Sequence, residues 1–358
     1  MYDGWVLAIN SKAPSNLVAY SYTGTSSEDG MLCLMNRTCH FASSNSAPNA
    51  ELQTHAPDLW QLPVLAGAVA IVFNLPDMAD LELRITREQL AQVFLGRIRK
   101  WSELAHRNPK LEGVNESIAL VVRSDVSETS EVLTSALSSF SFEWQGKVGT
   151  SKMPIWPGFT TRSQGTKDMA VQILRQPYSL GYIWQANVET FLLARALIEN
   201  DAGEFVAPSA SSVNAAMDVE VAKNLEEMGR DTKLLFRSIV DRKNNESDAY
   251  PISALVYVAF DAGKLDCEQL QRVVYFIYWA WTDPRAAEIA ARFSFAPMSS
   301  GMQKALLYTL KSLVCNAPVD ATPPASNESY PQSTAMSIVE RVVYALSPVI
   351  IGAGVSFP

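Results

Sequence analysis

Basic charge is in the minority in this 358-residue chain: 29 Lys and Arg stand against 37 Asp and Glu, for a formal net charge of -8. A nucleic-acid partner wants a basic face, so that class is set aside. Histidine is scarce, and the three present, His40, His55 and His106, have neither metal-ligand nor nucleophile spacing. Gly-x-Ser-x-Gly elbows, His-Glu-x-x-His pairs and Gly-x-x-x-x-Gly-Lys loops are missing too. Gly352-Ala353-Gly354 lacks the third glycine of a dinucleotide fingerprint. The expectation is therefore a protein that is not an enzyme, with no metal and no cofactor. Long apolar runs are lacking as well. Leu62 to Phe73, Val273 to Trp281 and Val342 to Val355, the last broken by Pro348, all fall short of the roughly 20 residues that span a bilayer. The opening Met1-Tyr2-Asp3-Gly4-Trp5 has no basic region and apolar core of a secretory signal.

What is present suits a soluble chain with room for two lobes: 48% hydrophobic and 18% charged residues. Four glycosylation sequons occur, at Asn36-Arg37-Thr38, Asn115-Glu116-Ser117, Asn245-Glu246-Ser247 and Asn327-Glu328-Ser329. With an even count of four cysteines they point to an extracellular or periplasmic glycoprotein whose signal lies outside this chain. Cys33 and Cys39 are close in sequence, and Cys267 can meet Cys315 if the helices between them fold back; all three pairings stay open, as do four buried free thiols.

Hydrophobic periodicity divides the chain into alternating elements. Val6 to Asn10 reads as a helix end, Leu17 to Tyr22 as a strand, Met31 to Met35 as a helix and Cys39 to Ala42 as a short strand. The apolar run Leu62 to Asn74 is expected as a strand of a parallel sheet, buried on both faces. Thr86 to Leu95 is an amphipathic helix with a threonine cap, Thr166 to Arg175 a helix, and Leu180 to Trp184 a strand. Ala207 to Ser212 reads as a loop before a helix from Ala215 to Asp231. Tyr250 to Ala259 is extended, and Cys267 to Thr282 and Met302 to Val314 are helices. Asn316 to Ser333, rich in Pro, Ser, Ala and Thr, is a linker before a helix at Met336 to Leu346 and a strand at Val349 to Ile351.

Chemistry concentrates in Arg123-Ser124-Asp125-Val126-Ser127-Glu128-Thr129-Ser130, directly after the apolar run Ile118 to Val122. A helix start offers unpaired N–H groups and a positive dipole end, to which Ser127 and Thr129 add donors. Arg123 offers a planar fork that Asp125 can hold. The arrangement suits an oxyanion. The plainer reading is an N-cap at Ser127 or Thr129 beside a surface Arg123–Asp125 pair. Junctions after Tyr22 and Phe41 also carry hydroxyl or amide side chains, and the ends of parallel strands are where open α/β sheets bind ligands. The tryptophans Trp101, Trp144, Trp156 and Trp184 read as packing residues.

The segments Leu62 to Ala70, Val93 to Ile98, Lys100-Trp101, Arg123-Ser124-Asp125, Leu180-Gly181-Tyr182 and Asp248 to Ile252, in this order and spacing, resemble the phosphate-binding protein of the bacterial phosphate importer. The similarity runs from Tyr2 to about Val314. It implies a two-lobed periplasmic-binding-protein-like α/β fold, with two mixed sheets flanked by helices and a hinge and ligand cleft between lobes. One lobe would take residues 1–75 and 248–315, the other residues 76–247. The linker is then set at 316–335, and 336–358 resembles the family's N-terminal phosphate-binding turn. That last segment completes the first lobe or belongs to a next repeat of a tandem or circularly permuted chain. The implied ligand groups are Thr25, Ser26, Asn45, Arg123, Ser127, Glu128, Thr129, Ser356 and Phe357, with Asp125 in support. Glu128 stands where a glycine is usual; its backbone N–H stays usable, but its carboxylate is expected either to point away from the anion or to repel it. Asn45 stands where the family has an aspartate that accepts the phosphate proton, and an amide donates as well as accepts, which implies weaker rejection of sulfate. The implied partners are inorganic phosphate and a membrane transporter or neighbouring repeats. A degenerate, non-binding module of a larger extracellular protein is the competing reading.

Overall fold

A computed structural model describes residues 1–11, 20–24, 27–45, 54–76, 78, 81–224 and 247–313. The expected linker, the C-terminal helix and strand, Thr25, Ser26, Ser356, Phe357, Cys315 and the sequons at Asn245 and Asn327 lie outside the described residues.

The strands are β1 (Ala42–Ser44), β2 (Leu59–Asn74), β3 (Arg84–Ile85), β4 (Ala119–Arg123), β5 (Thr161–Ser163), β6 (Ser179–Trp184), β7 (Ala194–Arg195), β8 (Leu197–Glu199), β9 (Phe205–Val206), β10 (Ser253–Asp261) and β11 (Ala296–Pro297). The helices are α1 (Tyr2–Asn10), α2 (Ser27–Met35), α3 (Arg87–Phe94), α4 (Glu128–Phe140), α5 (Phe142–Lys147), α6 (Gly165–Arg175), α7 (Gln185–Val188), α8 (Ala210–Asn224), α9 (Cys267–Thr282), α10 (Pro284–Arg292) and α11 (Ser300–Ser312).

A mixed sheet of eight strands runs in the order β1-β10-β2-β6-β4-β5, with β7 and β11 also on β2, and a second mixed sheet runs β3-β8-β9. The sixteen-residue β2 has two long partners in succession. From Leu59 to Ala68 it pairs with β10, and from Val69 to Asn74 with β6. Every residue of β2 from Gln61 to Phe73 is buried, which is why the sequence there is apolar without alternation. The expectation of a parallel strand is corrected: both long neighbours are antiparallel. Further along, α8 packs against α11, β11 and β2.

Local chemistry explains the remaining differences. Of the strand expected at Leu17 to Tyr22, residues 17–19 lie outside the described residues and 20–22 form none; the Asn10 amide takes both backbone groups of Tyr20, Nδ2 donating to its carbonyl at 2.8 Å and its N–H donating to Oδ1 at 2.9 Å. The strand expected at Cys39 to Ala42 is displaced to β1. α8 starts five residues earlier than expected, at Ala210 rather than Ala215, because Ser209 and Ser212 bond one another's backbone N–H groups at 3.1 and 3.0 Å, a reciprocal cap. Thr86 caps α3 with a full capping box through Gln89, as its sequence position implies. Cys33 and Cys39 form a disulfide. No described helix is long and apolar enough to cross a membrane.

Candidate anion site at the start of α4

β4 lies between β5 and β6 and is parallel to both, so Arg123 leaves the sheet at the carboxyl end of a parallel trio. Its backbone is fixed from two sides: its N–H donates to the Tyr182 hydroxyl at 3.2 Å, and its carbonyl accepts from Trp156 Nε1 at 3.1 Å. The side chain is 10% exposed. Nε donates to Asp125 Oδ1 at 2.7 Å, Nη2 bonds Asp125 Oδ2, and Nη1 donates to the Thr166 hydroxyl at 3.4 Å. Asp125 also accepts from the Gly165 N–H at 3.2 Å. Gly165 has φ +77°, the left-handed backbone that glycine tolerates best. The Arg123–Asp125 pair is thus a half-buried fork held against the start of α6, not the surface pair of the plainer reading.

The N-cap part of that reading does hold. Ser127 is extended and its Oγ accepts from the Ser130 N–H at 3.3 Å. Ser127, Thr129 and Ser130 are all buried, and Thr129 has no hydroxyl partner among the described residues. The Ser130 and Tyr182 hydroxyls are 2.7 Å apart, so the strand end and the helix start are joined by a buried polar contact. The amides of Glu128 and Thr129, first in the helix, have no carbonyl within α4 to bond.

The Glu128 carboxylate is 8% exposed and reaches across to α2 and the end of β1. Ser27 Oγ donates to Oε2 at 2.7 Å, Asn45 N–H to Oε2 at 3.1 Å, and Ser44 Oγ to Oε1 at 3.0 Å. Lys152 Nζ lies 3.9 Å from Oε1. Of the expected ligand set, Asn45, Arg123, Asp125, Ser127, Glu128 and Thr129 are brought to this junction. Sequence reasoning missed Ser27, Ser44, Lys152, Thr166, Gly165 and Tyr182. Ser27 and Ser44 had a signal, as members of the hydroxyl runs Thr25-Ser26-Ser27 and Ser43-Ser44, whereas nothing in sequence points to Lys152.

The two carboxyl groups respond to pH in opposite senses. Hydrogen bonds from Arg123 hold Asp125 below the ordinary aspartate range. Its contribution to stability is present above that range and is lost only as pH falls through the lowered value. Burial pushes Glu128 above the ordinary glutamate value, against the pull of Ser27, Lys152, Asn45 and Ser44. A raised carboxyl binds its proton more tightly when folded, so its contribution is complete at low pH and is lost as pH rises through the folded value. On acidification from pH 8 to pH 5 the melting temperature of the wild type is therefore expected to rise relative to Glu128→Gln. Parallel melting curves across that range check this; a constant gap counts against it.

A family model described as a PBP superfamily domain matches residues 2–278. The chain belongs to the PBP superfamily. Among its superfamily relatives, the phosphate-binding protein PstS of Haemophilus influenzae is 30% identical over 302 residues, covering 83% of this chain and 85% of that one. An Acanthamoeba polyphaga mimivirus protein, R826, whose name pairs serine/threonine-protein kinase with receptor, is 24% identical over 312 residues, covering 80% of this chain but 18% of its own length. Among solved structures, PfluDING, a high-affinity periplasmic phosphate-binding protein crystallised with phosphate, aligns with a TM-score of 0.64 at 18% identity, over 85% of this chain and 91% of that one. The two-lobed fold of the superfamily is thus shared, and the relatives that carry the name PstS are solute-binding proteins. The described residues contain no group of His, Cys, Asp and Glu able to hold a metal ion.

Proposed function

We propose that this chain binds inorganic phosphate, or a closely related tetrahedral oxyanion, in the cleft between its lobes and does so outside the cytoplasm. The observation that carries this reading is the half-buried Arg123 guanidinium, braced by Asp125, at the strand end that leads into α4. A guanidinium of this kind recognises oxyanions with two parallel donors, and free helix amides favour negative charge. Ser127 and Thr129 add hydroxyls, the Glu128 N–H adds a backbone donor, and Asn45 adds an amide from the facing lobe. Thr25, Ser26, Ser356 and Phe357 complete the set by resemblance to the phosphate-binding family.

The PstS relatives support phosphate as the ligand. R826 supports a use as one sensing module of a longer chain, because its match is a small part of its own length. Uptake through a membrane transporter and sensing both require the same first step, anion capture with closure of the lobes. Calorimetric titration with phosphate and with sulfate, each at pH 6 and pH 8, tests the capture. Phosphate is expected to bind, and sulfate to compete measurably because Asn45 is an amide that donates as well as accepts. Absence of heat with either anion, in the folded wild type and in the Glu128→Gly variant alike, overturns the reading in favour of a non-binding module.

A further inference from the structure

Glu128 is the first residue of α4, and Ser27, which donates to it, is the first residue of α2. The carboxylate therefore sits at two helix N-termini that belong to opposite lobes. An acidic residue in a first helical turn is ordinarily solvated, and its benefit comes from the dipole of its own helix. Here the carboxyl group is buried, and its three hydrogen bonds all come from the other lobe: from Ser27 Oγ, Ser44 Oγ and the Asn45 N–H. Lys152, from the second lobe, adds a positive charge at 3.9 Å. Hydroxyl and amide donors, helix N-termini and a cation are the partners a bound oxyanion uses, and here the chain's own carboxyl group takes them, against the cost of its burial.

We propose that Glu128 is a tethered anion for this cleft: its carboxylate holds the lobes closed without ligand, and an oxyanion binds only by displacing it from Ser27, Ser44 and Asn45. The displacement half of this rests on the phosphate-binding reading; the closure half stands on the bonds alone. Two consequences follow from population arithmetic. Apparent affinity is lowered by the fraction of molecules in which the carboxylate is latched, and a ligand adds closure only in molecules that are unlatched. The wild type is then compact both with and without phosphate.

The test uses the whole chain at pH 8, with Glu128→Gly, Glu128→Gln and the double variant Ser27→Ala/Ser44→Ala, each first shown to unfold cooperatively. Inorganic phosphate is titrated by calorimetry, and the radius of gyration is measured by small-angle X-ray scattering with and without phosphate. Glu128→Gly is expected to bind phosphate roughly tenfold or more tightly than the wild type. It should be expanded without phosphate and return to the wild-type radius with it. Glu128→Gln, which keeps an acceptor oxygen but no charge, is expected to fall between. The double serine variant should be expanded without phosphate while α4 is untouched, and it carries the closure test if Glu128→Gly does not fold. A wild type as expanded as the variants without phosphate overturns the closure. Equal phosphate affinity in wild type and Glu128→Gly overturns the displacement. Expansion of the variants with no phosphate bound by any of them supports closure by Glu128 and instead overturns the phosphate reading of the site.

Discussion

Arg123→Ala is expected to abolish phosphate-dependent stabilisation while leaving the fold intact. The guanidinium sits at the carboxyl end of β4 with 10% of its side chain exposed, so an anion it engages is shielded from water. Hydrogen bonds to charged groups in such surroundings contribute about 1.5 to 3 kcal/mol each, and loss of two parallel ones lowers affinity by at least about a hundredfold. The backbone of Arg123 is fixed independently by Tyr182 and Trp156, so truncation of the side chain does not release the strand end. It does leave the Asp125 carboxylate with the Gly165 N–H as its remaining described partner from outside its own loop. An unneutralised carboxylate in the cleft then repels the anion further. Arg123→Lys restores charge without the planar fork and is expected to recover little. Melting curves with and without phosphate decide the matter: a phosphate-induced shift that survives in Arg123→Ala removes Arg123 from the site.

Much of this junction was legible in the sequence because its pieces are local. The order strand, arginine, carboxylate, hydroxyl, helix lies within a single octapeptide, and short-range geometry fixes the Ser127 cap and the Arg123–Asp125 fork. Direction and distance were not legible. An apolar run such as Leu62 to Asn74 reports burial on both faces but says nothing of strand direction, and β2 turns out antiparallel to both long neighbours. The orientation of the Glu128 side chain depends on Ser27, Ser44 and Asn45, which are more than eighty residues away in sequence. Repulsion from a bound anion was the reasonable expectation for that carboxylate. The structure adds what the local sequence does not show, that donors from Ser27, Ser44 and Asn45 reach it.

The largest stability effect is expected from Trp5→Ala. Trp5 is fully buried, and its indole Nε1 donates to the Ala286 carbonyl at 2.9 Å, tying α1 to α10. Edge-on contacts with Tyr2, Phe276 and Trp279 at centroid distances of 5.5, 6.0 and 6.0 Å surround the ring. Removal of a buried tryptophan costs about 3 to 5 kcal/mol through lost transfer energy and the cavity left behind. Trp5→Phe keeps most of the ring and loses the N–H bond, for about 1 kcal/mol plus a smaller packing loss. The effect should reach the cleft. Tyr2, on the same helix, places its hydroxyl 2.7 Å from Ser43 Oγ, and the neighbouring Ser44 holds the Glu128 carboxylate. Loosening α1 therefore removes support from the first-lobe donors while α4 keeps its own cap. Denaturant titrations of both variants give the stability ranking, and scattering at denaturant-free conditions gives the cleft. Trp5→Ala is expected to be both the less stable and the more expanded of the two. A variant that loses stability yet keeps the wild-type radius would show that α1 supports the core of the first lobe without positioning β1 against α4.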